Sequence, residues 1–133
     1  MRILIVEDEL VSREKLKKLL SEYGECDEAF DGEQAFEMFE KAHKKGESYD
    51  LITMDIEMPG ISGQETVELI KEWEYAHKMK ESTNHVLIIM ITVMEDISNI
   101  MSSFREGCES YLIKPITEHS LEVRLKEMGV IKK

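Results

Sequence analysis

The chain has 133 residues, 42% of them hydrophobic and 34% charged, and its 28 acidic against 17 basic residues give a formal charge of −11. That is the size and apolar content of one ordinary domain with its own core, which excludes a disordered chain, and the acidic balance argues against direct DNA binding, where Lys and Arg must neutralise phosphates. The longest nearly unbroken apolar run, Val86 to Met94, is about half of the ~20 residues a membrane-spanning helix needs, and Met1 leads into a strand-like run without a basic region, so no signal peptide or membrane contact is expected and the expected location is cytoplasmic.

The elements alternate along the chain. A first apolar run, Ile3–Val6, reads as a strand and ends on the acidic pair Glu7-Asp8. Leu16, Leu19, Leu20 and Tyr23 then repeat at helical spacing, with Gly24 where the helix should stop. A weaker, polar strand covers Cys26–Phe30, and Ala35, Phe36, Phe39 and Ala42 predict a second helix stopping near Gly46. The strand Leu51–Met54 runs into Asp55 and the turn residues Pro59-Gly60, followed by the helical positions Val67, Ile70 and Trp73. The polar stretch from Glu74 to His85 is expected to extend that third helix before a loop. Val86–Thr92 is the fourth strand, and Ile97, Ile100, Met101 and Phe104 predict a fourth helical segment ending near Gly107. Tyr111–Ile113 is a fifth strand ending at Lys114, and a last helix through Leu121, Leu125 and Met128 is capped by Thr117.

Five successive βα units predict a doubly wound α/β fold: a parallel sheet with helices on both faces, in three layers. In such sheets ligands sit beyond the carboxyl ends of the strands. Glu7, Asp8, Asp55, Thr92 and Lys114 all fall at those ends. Three carboxylates converging there cannot all ionise without help, and a hard divalent cation with oxygen ligands is the usual help. The pattern therefore points to phosphoryl transfer. Each residue alone has a plainer explanation. A lone Asp after a strand is usually a cap or turn residue, Lys114 alone would be a surface lysine, Thr92 an ordinary β-branched strand residue and Tyr111 a half-buried aromatic.

These features together resemble the receiver domains of bacterial two-component signalling, the response-regulator family, over essentially the whole chain. The likeness rests on Glu7-Asp8 after the first strand, Asp55 in a D-x-x-M-P-x-x-x-G run, Thr92 after the fourth strand and Lys114-Pro115 after the fifth. The resemblance implies a flavodoxin-like (βα)5 fold with strand order 2-1-3-4-5, and one receiver domain over residues 1–133 with no output domain. It implies that Asp55 accepts a phosphoryl group from a sensor histidine kinase or a histidine phosphotransfer protein. Glu7, Asp8, Asp55 and the backbone carbonyl of Glu57 would hold Mg²⁺ (or Mn²⁺). Lys114 would pair with Asp55 at rest and with a phosphoryl oxygen afterwards, and Thr92 would donate its hydroxyl to another. Pro115 would follow a cis peptide bond. Thr92 moving toward the phosphoryl group would let Tyr111 turn inward and change the surface of the fourth helical segment, fifth strand and last helix. Signalling would then pass by protein binding to a separate, unidentified target, without multiple-turnover enzyme activity.

Three departures from the family's commoner residues bear on rate. Val93 after Thr92 is bulkier than Ala or Gly, Glu57 adds an acid, and Met94 is apolar. Slow entry of small phosphodonors and slow self-dephosphorylation are expected. Ile116, where Phe is frequent, reads as core variation. The chief alternative is a Mg²⁺-dependent phosphohydrolase with an aspartyl nucleophile. The haloacid-dehalogenase type carries D-x-D, where position 57 is Glu here. A receiver-like scaffold that signals without phosphate is opposed by the complete constellation, and nucleotide binding by the absence of GxGxxG and GxxxxGK[ST] motifs. Arg124 and the alternating charges of the last helix suit either a homodimer or a solvated surface. Cys26 and Cys108 lack metal or redox spacing and, in the family strand order, lie at opposite edges, beyond disulfide reach. The nine methionines read as gap-fillers, and His43, His77, His85 and His119 as exposed.

Overall fold

The β-rich runs become the strands β1 (Arg2–Val6), β2 (Glu25–Ala29), β3 (Leu51–Asp55), β4 (Leu87–Thr92) and β5 (Ser110–Ile113) of one parallel sheet in a computed structural model. Their order is β2-β1-β3-β4-β5. The structure describes residues 1–77, 85–93, 98 and 107–132. Met94 and the helical positions Ile97, Ile100, Met101 and Phe104 lie outside them. Four helices are described: α1 (Leu10–Leu20), α2 (Gly32–Lys44), α3 (Gly63–Ala76) and α4 (Glu118–Glu127), the last being the final helical segment of the sequence. No helix among the described residues is long and apolar enough to cross a membrane.

Strand periodicity divides the core in two. Leu4, Val6, Ile52, Met54, Ile88 and Met90 pack against α2 and α3 through Ala35, Phe39, Val67 and Ile70. Ile3, Ile5, Leu51, Ile89, Ile91 and Leu112 face the other way, onto Leu16 and Leu20 of α1 and Leu121 and Leu125 of α4. Strands buried on both sides read as unbroken apolar runs. The polar β2 is different because it is an edge strand, in which only Ala29 is buried. Cys26 on β2 and Cys108 before β5 stand at opposite sides of the sheet and form no disulfide.

Helix ends follow local chemistry. Thr117 caps α4, as expected, in a capping box with Ser120, and Ser62 and Glu65 do the same for α3. Gly46 follows α2 at φ 76°, and the Gly46 and Glu47 N–H groups donate to the carbonyls of His43 and Ala42. That is a Schellman ending, which a residue with a Cβ would strain. Gly24 has another reason to be glycine. α1 ends at Leu20 with Ser21 as its C-cap, and a side chain at Gly24 would collide with the Met1 carbonyl, which accepts the Glu25 N–H.

Two expectations are corrected. The polar stretch from Glu74 does extend α3 as far as Ala76, and residues 78–84 lie outside the described ones, but Glu74 itself is no solvent-facing polar residue: it is buried, accepts the Val86 N–H at 2.8 Å and pairs with Lys71 at 3.3 Å. His43 and His85 are half-buried rather than exposed. The His43 ring meets Trp73 edge-on, and its Nδ1 lies 3.1 Å from the Ser48 hydroxyl.

Thr53, in the middle of β3, is fully buried, and its hydroxyl has no hydrogen-bond partner among the described residues. Valine has the same shape without the polar atom. Thr53→Val is therefore expected to stabilise the fold by about 1 kcal/mol, seen as a higher urea midpoint at unchanged slope.

Candidate functional site

The register of the sheet builds the site. Val6 lies opposite Met54, so the next residues, Glu7 and Asp55, stand level at the ends of adjacent strands. Thr92 lies opposite Ile113, and the Lys114 N–H donates to the Thr92 carbonyl at 2.8 Å, which brings the lysine to the same edge. Glu7, Asp8, Asp55, Thr92 and Lys114 line one open pocket of about 200 Å³. Ser12, Glu57 and Val93 complete its rim, together with Glu9, which caps α1. Asp55 is 6% exposed and Glu7 fully buried, whereas Asp8 is exposed. One oxygen from each of these three carboxylates lies within 4.8 Å of the other two.

So much negative charge in so small a volume sets the protonation of the site. Burial first, and then the adjoining Glu7 carboxylate, push Asp55 up to about 8; Lys114 and the Glu57 N–H offset this only in part. Burial acts to raise Glu7 too, but hydrogen bonding with Asp55, Lys114 and the Glu9 N–H outweighs it and holds Glu7 below the usual carboxylate range. Asp8 is raised by its partial burial and by Glu7. Burial opposes the Lys114 ammonium, yet Glu7 and Asp55 together raise its pKa. At neutral pH these effects favour one proton shared within the Glu7–Asp55 pair.

Lys114 makes the expected pair with Asp55 and a closer one, unexpected, with Glu7. Its Nζ lies 3.0 Å from Glu7 Oε1 and 3.8 Å from Asp55 Oδ2, so the ion pair is principally with Glu7, the member of the pair whose pKa is lowered. The Lys114–Pro115 peptide bond is cis, as the resemblance implied. Tyr111 lies opposite Met90, two residues before Thr92, so the two side chains share the α2–α3 face of the sheet. The Tyr111 ring is half-buried, with the Arg124 guanidinium carbon 4.5 Å from its centroid. Asp55, Glu7 and Lys114 rise from the opposite pleats. One contact of the site escaped the sequence reading: Arg13 donates to the Glu7 carbonyl at 3.0 Å. Its signal was a cation in the buried stripe Arg13, Leu16, Leu20, where an apolar residue is the rule.

The model of the response regulator receiver domain family matches residues 3–126. The chain belongs to that family. As a receiver domain of two-component systems it is 32% identical over 130 residues to chemotaxis protein CheY-3 of Vibrio cholerae, covering 96% of this chain and 91% of that protein. It spans only 10% to 47% of the length of the first curated relatives it matches. Among solved structures, the receiver domain of Ssk1 from Saccharomyces cerevisiae, crystallised with the histidine phosphotransfer protein Ypd1, superposes with a TM-score of 0.80 at 25% identity, covering 100% of this chain and 93% of that one. The receiver domain of sensor histidine kinase PA1611 from Pseudomonas aeruginosa, with magnesium coordinated in its active site cleft, gives 0.75 at 25% identity, covering 95% and 94%.

The receiver's acidic cluster fits a hard cation. Its donors are carboxylate oxygens, and the repulsion that raises Asp55 is the repulsion a divalent ion would relieve. Because Asp55 is raised from 3.8 to about 8, its contribution to the metal-free fold is full below pH 3.8 and is lost as pH rises through 8. Asp55→Asn removes that dependence. The variant is expected to gain over the wild type between these pH values, by about 1–4 kcal/mol at pH 8 in chelator. Mg²⁺ should narrow the gap by stabilising only the wild type, as thermal unfolding with and without the ion will show.

Proposed function

We propose that Asp55 accepts a phosphoryl group from a phosphohistidine of a sensor kinase or phosphotransfer protein, and that this receiver signals by phosphorylation-dependent protein binding. The observation that carries the reading is the meeting of Asp55, Glu7, Asp8 and Lys114 in one pocket. In the step itself a carboxylate oxygen of Asp55 bonds to phosphorus, the P–N bond breaks, and the imidazole leaves with that electron pair and takes a proton. Asp55 must be ionised to attack, so the proton held by the Glu7–Asp55 pair must leave first. Glu7, Asp8, Asp55 and the Glu57 carbonyl would hold Mg²⁺, which supplies charge neutralisation for the phosphoryl oxygens. Lys114, paired chiefly with Glu7 at 3.0 Å, is close enough to turn to a phosphoryl oxygen.

Thr92 and Tyr111 form the response. Among the described residues the Thr92 hydroxyl makes only a long contact, 3.4 Å to the Val93 carbonyl, and so gives up little when it donates to a phosphoryl oxygen. Tyr111 on the same face would follow, leaving Arg124 and changing the surface that β5 and α4 offer to a protein target. Val93, 38% exposed at the pocket rim, covers the approach of water and small donors.

With Mg²⁺ and a small acyl phosphate, the wild type should take up one hydroxylamine-labile phosphoryl group and Asp55→Asn none; Lys114→Met should slow uptake by about 10²-fold. Sustained turnover of a phosphomonoester would instead identify a phosphohydrolase. Val93→Ala is expected to speed decay of the phosphorylated protein severalfold, and an unchanged decay rate removes the shielding role. Pull-downs from cell extract with phosphorylated wild type and Asp55→Asn should capture different proteins.

A further inference from the structure

We propose that Arg13 is the positioning residue of the acidic loop, acting on the metal site through the backbone of Glu7 and Asp8. The inference rests on reading the carboxylate cluster as a Mg²⁺ site. Arg13 sits in α1 with its side chain 11% exposed, an expensive place for a guanidinium unless it is well paired. It is not well paired: among the described residues Nε is buried without a hydrogen-bond partner and faces Glu28 Oε1 at 3.8 Å. The close contacts lie elsewhere. Nη1 donates to the Glu7 carbonyl at 3.0 Å and reaches the Asp8 carbonyl at 3.4 Å. The Phe30 ring lies across the guanidinium, 4.2 Å from its carbon, and fixes its plane.

Those two carbonyls belong to the residues whose carboxylates must converge. β1 ends at Val6, and the Glu7 N–H still donates to Ala29, but beyond it the chain leaves the sheet and turns into α1. Arg13 takes over where the ladder stops, fixing the peptide planes from which both acids project. Outer contacts of this kind orient ligands against the repulsion that drives them apart.

Charge alone predicts the reverse effect. A cation behind the loop repels a second cation in front of it, so removing Arg13 would tighten Mg²⁺ binding if only its field mattered. Positioning predicts weaker binding. The sign of the change therefore separates the two roles.

Calorimetric titration of the metal-free protein with Mg²⁺ reads that sign. Arg13→Met, checked for folding by thermal melting, should bind about 10-fold more weakly or worse. Arg13→Lys, which keeps one donor, should recover part of the loss. Lys17→Met removes a charge beside Glu28 without touching the loop and should bind as the wild type does. Equal or tighter binding by folded Arg13→Met overturns the proposal while leaving the metal site standing. A wild type that takes up no Mg²⁺ overturns the metal reading and this inference with it. Should Arg13→Met not fold, Phe30→Ala loosens the same clamp at a half-exposed position. Weaker binding there supports the proposal and unchanged binding overturns it.

Discussion

The pairing of Glu7 with Asp55 across adjacent strands is the constraint on which the site depends. Two carboxylates standing level at the end of a parallel ladder cannot both be ionised in a buried setting. The protein leaves that conflict in place: Glu7 keeps its charge with the help of Lys114 and the Glu9 N–H, and burial beside Glu7 raises Asp55 to about 8. The site is thereby poised for whatever brings positive charge. On the proposed function that is first a metal ion and then, indirectly, the phosphoryl transfer that the ion permits.

The rest of the molecule makes this conflict sustainable. The three central strands β1, β3 and β4, buried on both faces, hold the register, and the register holds the acids together; slipping β3 by one residue would send Asp55 to the opposite face. The two faces also divide the labour. Glu7, Asp55 and Lys114 come from the pleats that rest on α1 and α4, whereas Thr92 and Tyr111 come from those facing α2 and α3. A charge placed on Asp55 would be sensed from one side of the sheet and reported from the other, across an interior too well packed to yield gradually.

Much of this was legible in the residues. Apolar runs of three to seven residues leading to acids, a threonine or a lysine sufficed for four strands, their parallel pairing and the five polar residues at one edge, with the weaker polar run Cys26–Phe30 supplying β2. What local pattern missed was set by tertiary neighbours. Glu74 reads as a surface acid until the start of β4 presents an unpaired N–H to it. His43 reads as exposed until Trp73 of α3 covers one side of it. Arg13 reads as one more helix charge until the turn after β1 places two carbonyls against it.

The sequence by itself determined the fold class, the sheet edge at which five polar residues gather and the place of Asp55 among them, because periodicity and element order are local properties that survive without coordinates. Only the tertiary structure decided how the charges are shared: that Lys114 rests on Glu7 more closely than on Asp55, and that burial beside Glu7 raises Asp55. Charge sharing depends on distances of a few ångströms and on burial, and neither is written in the order of residues along a chain.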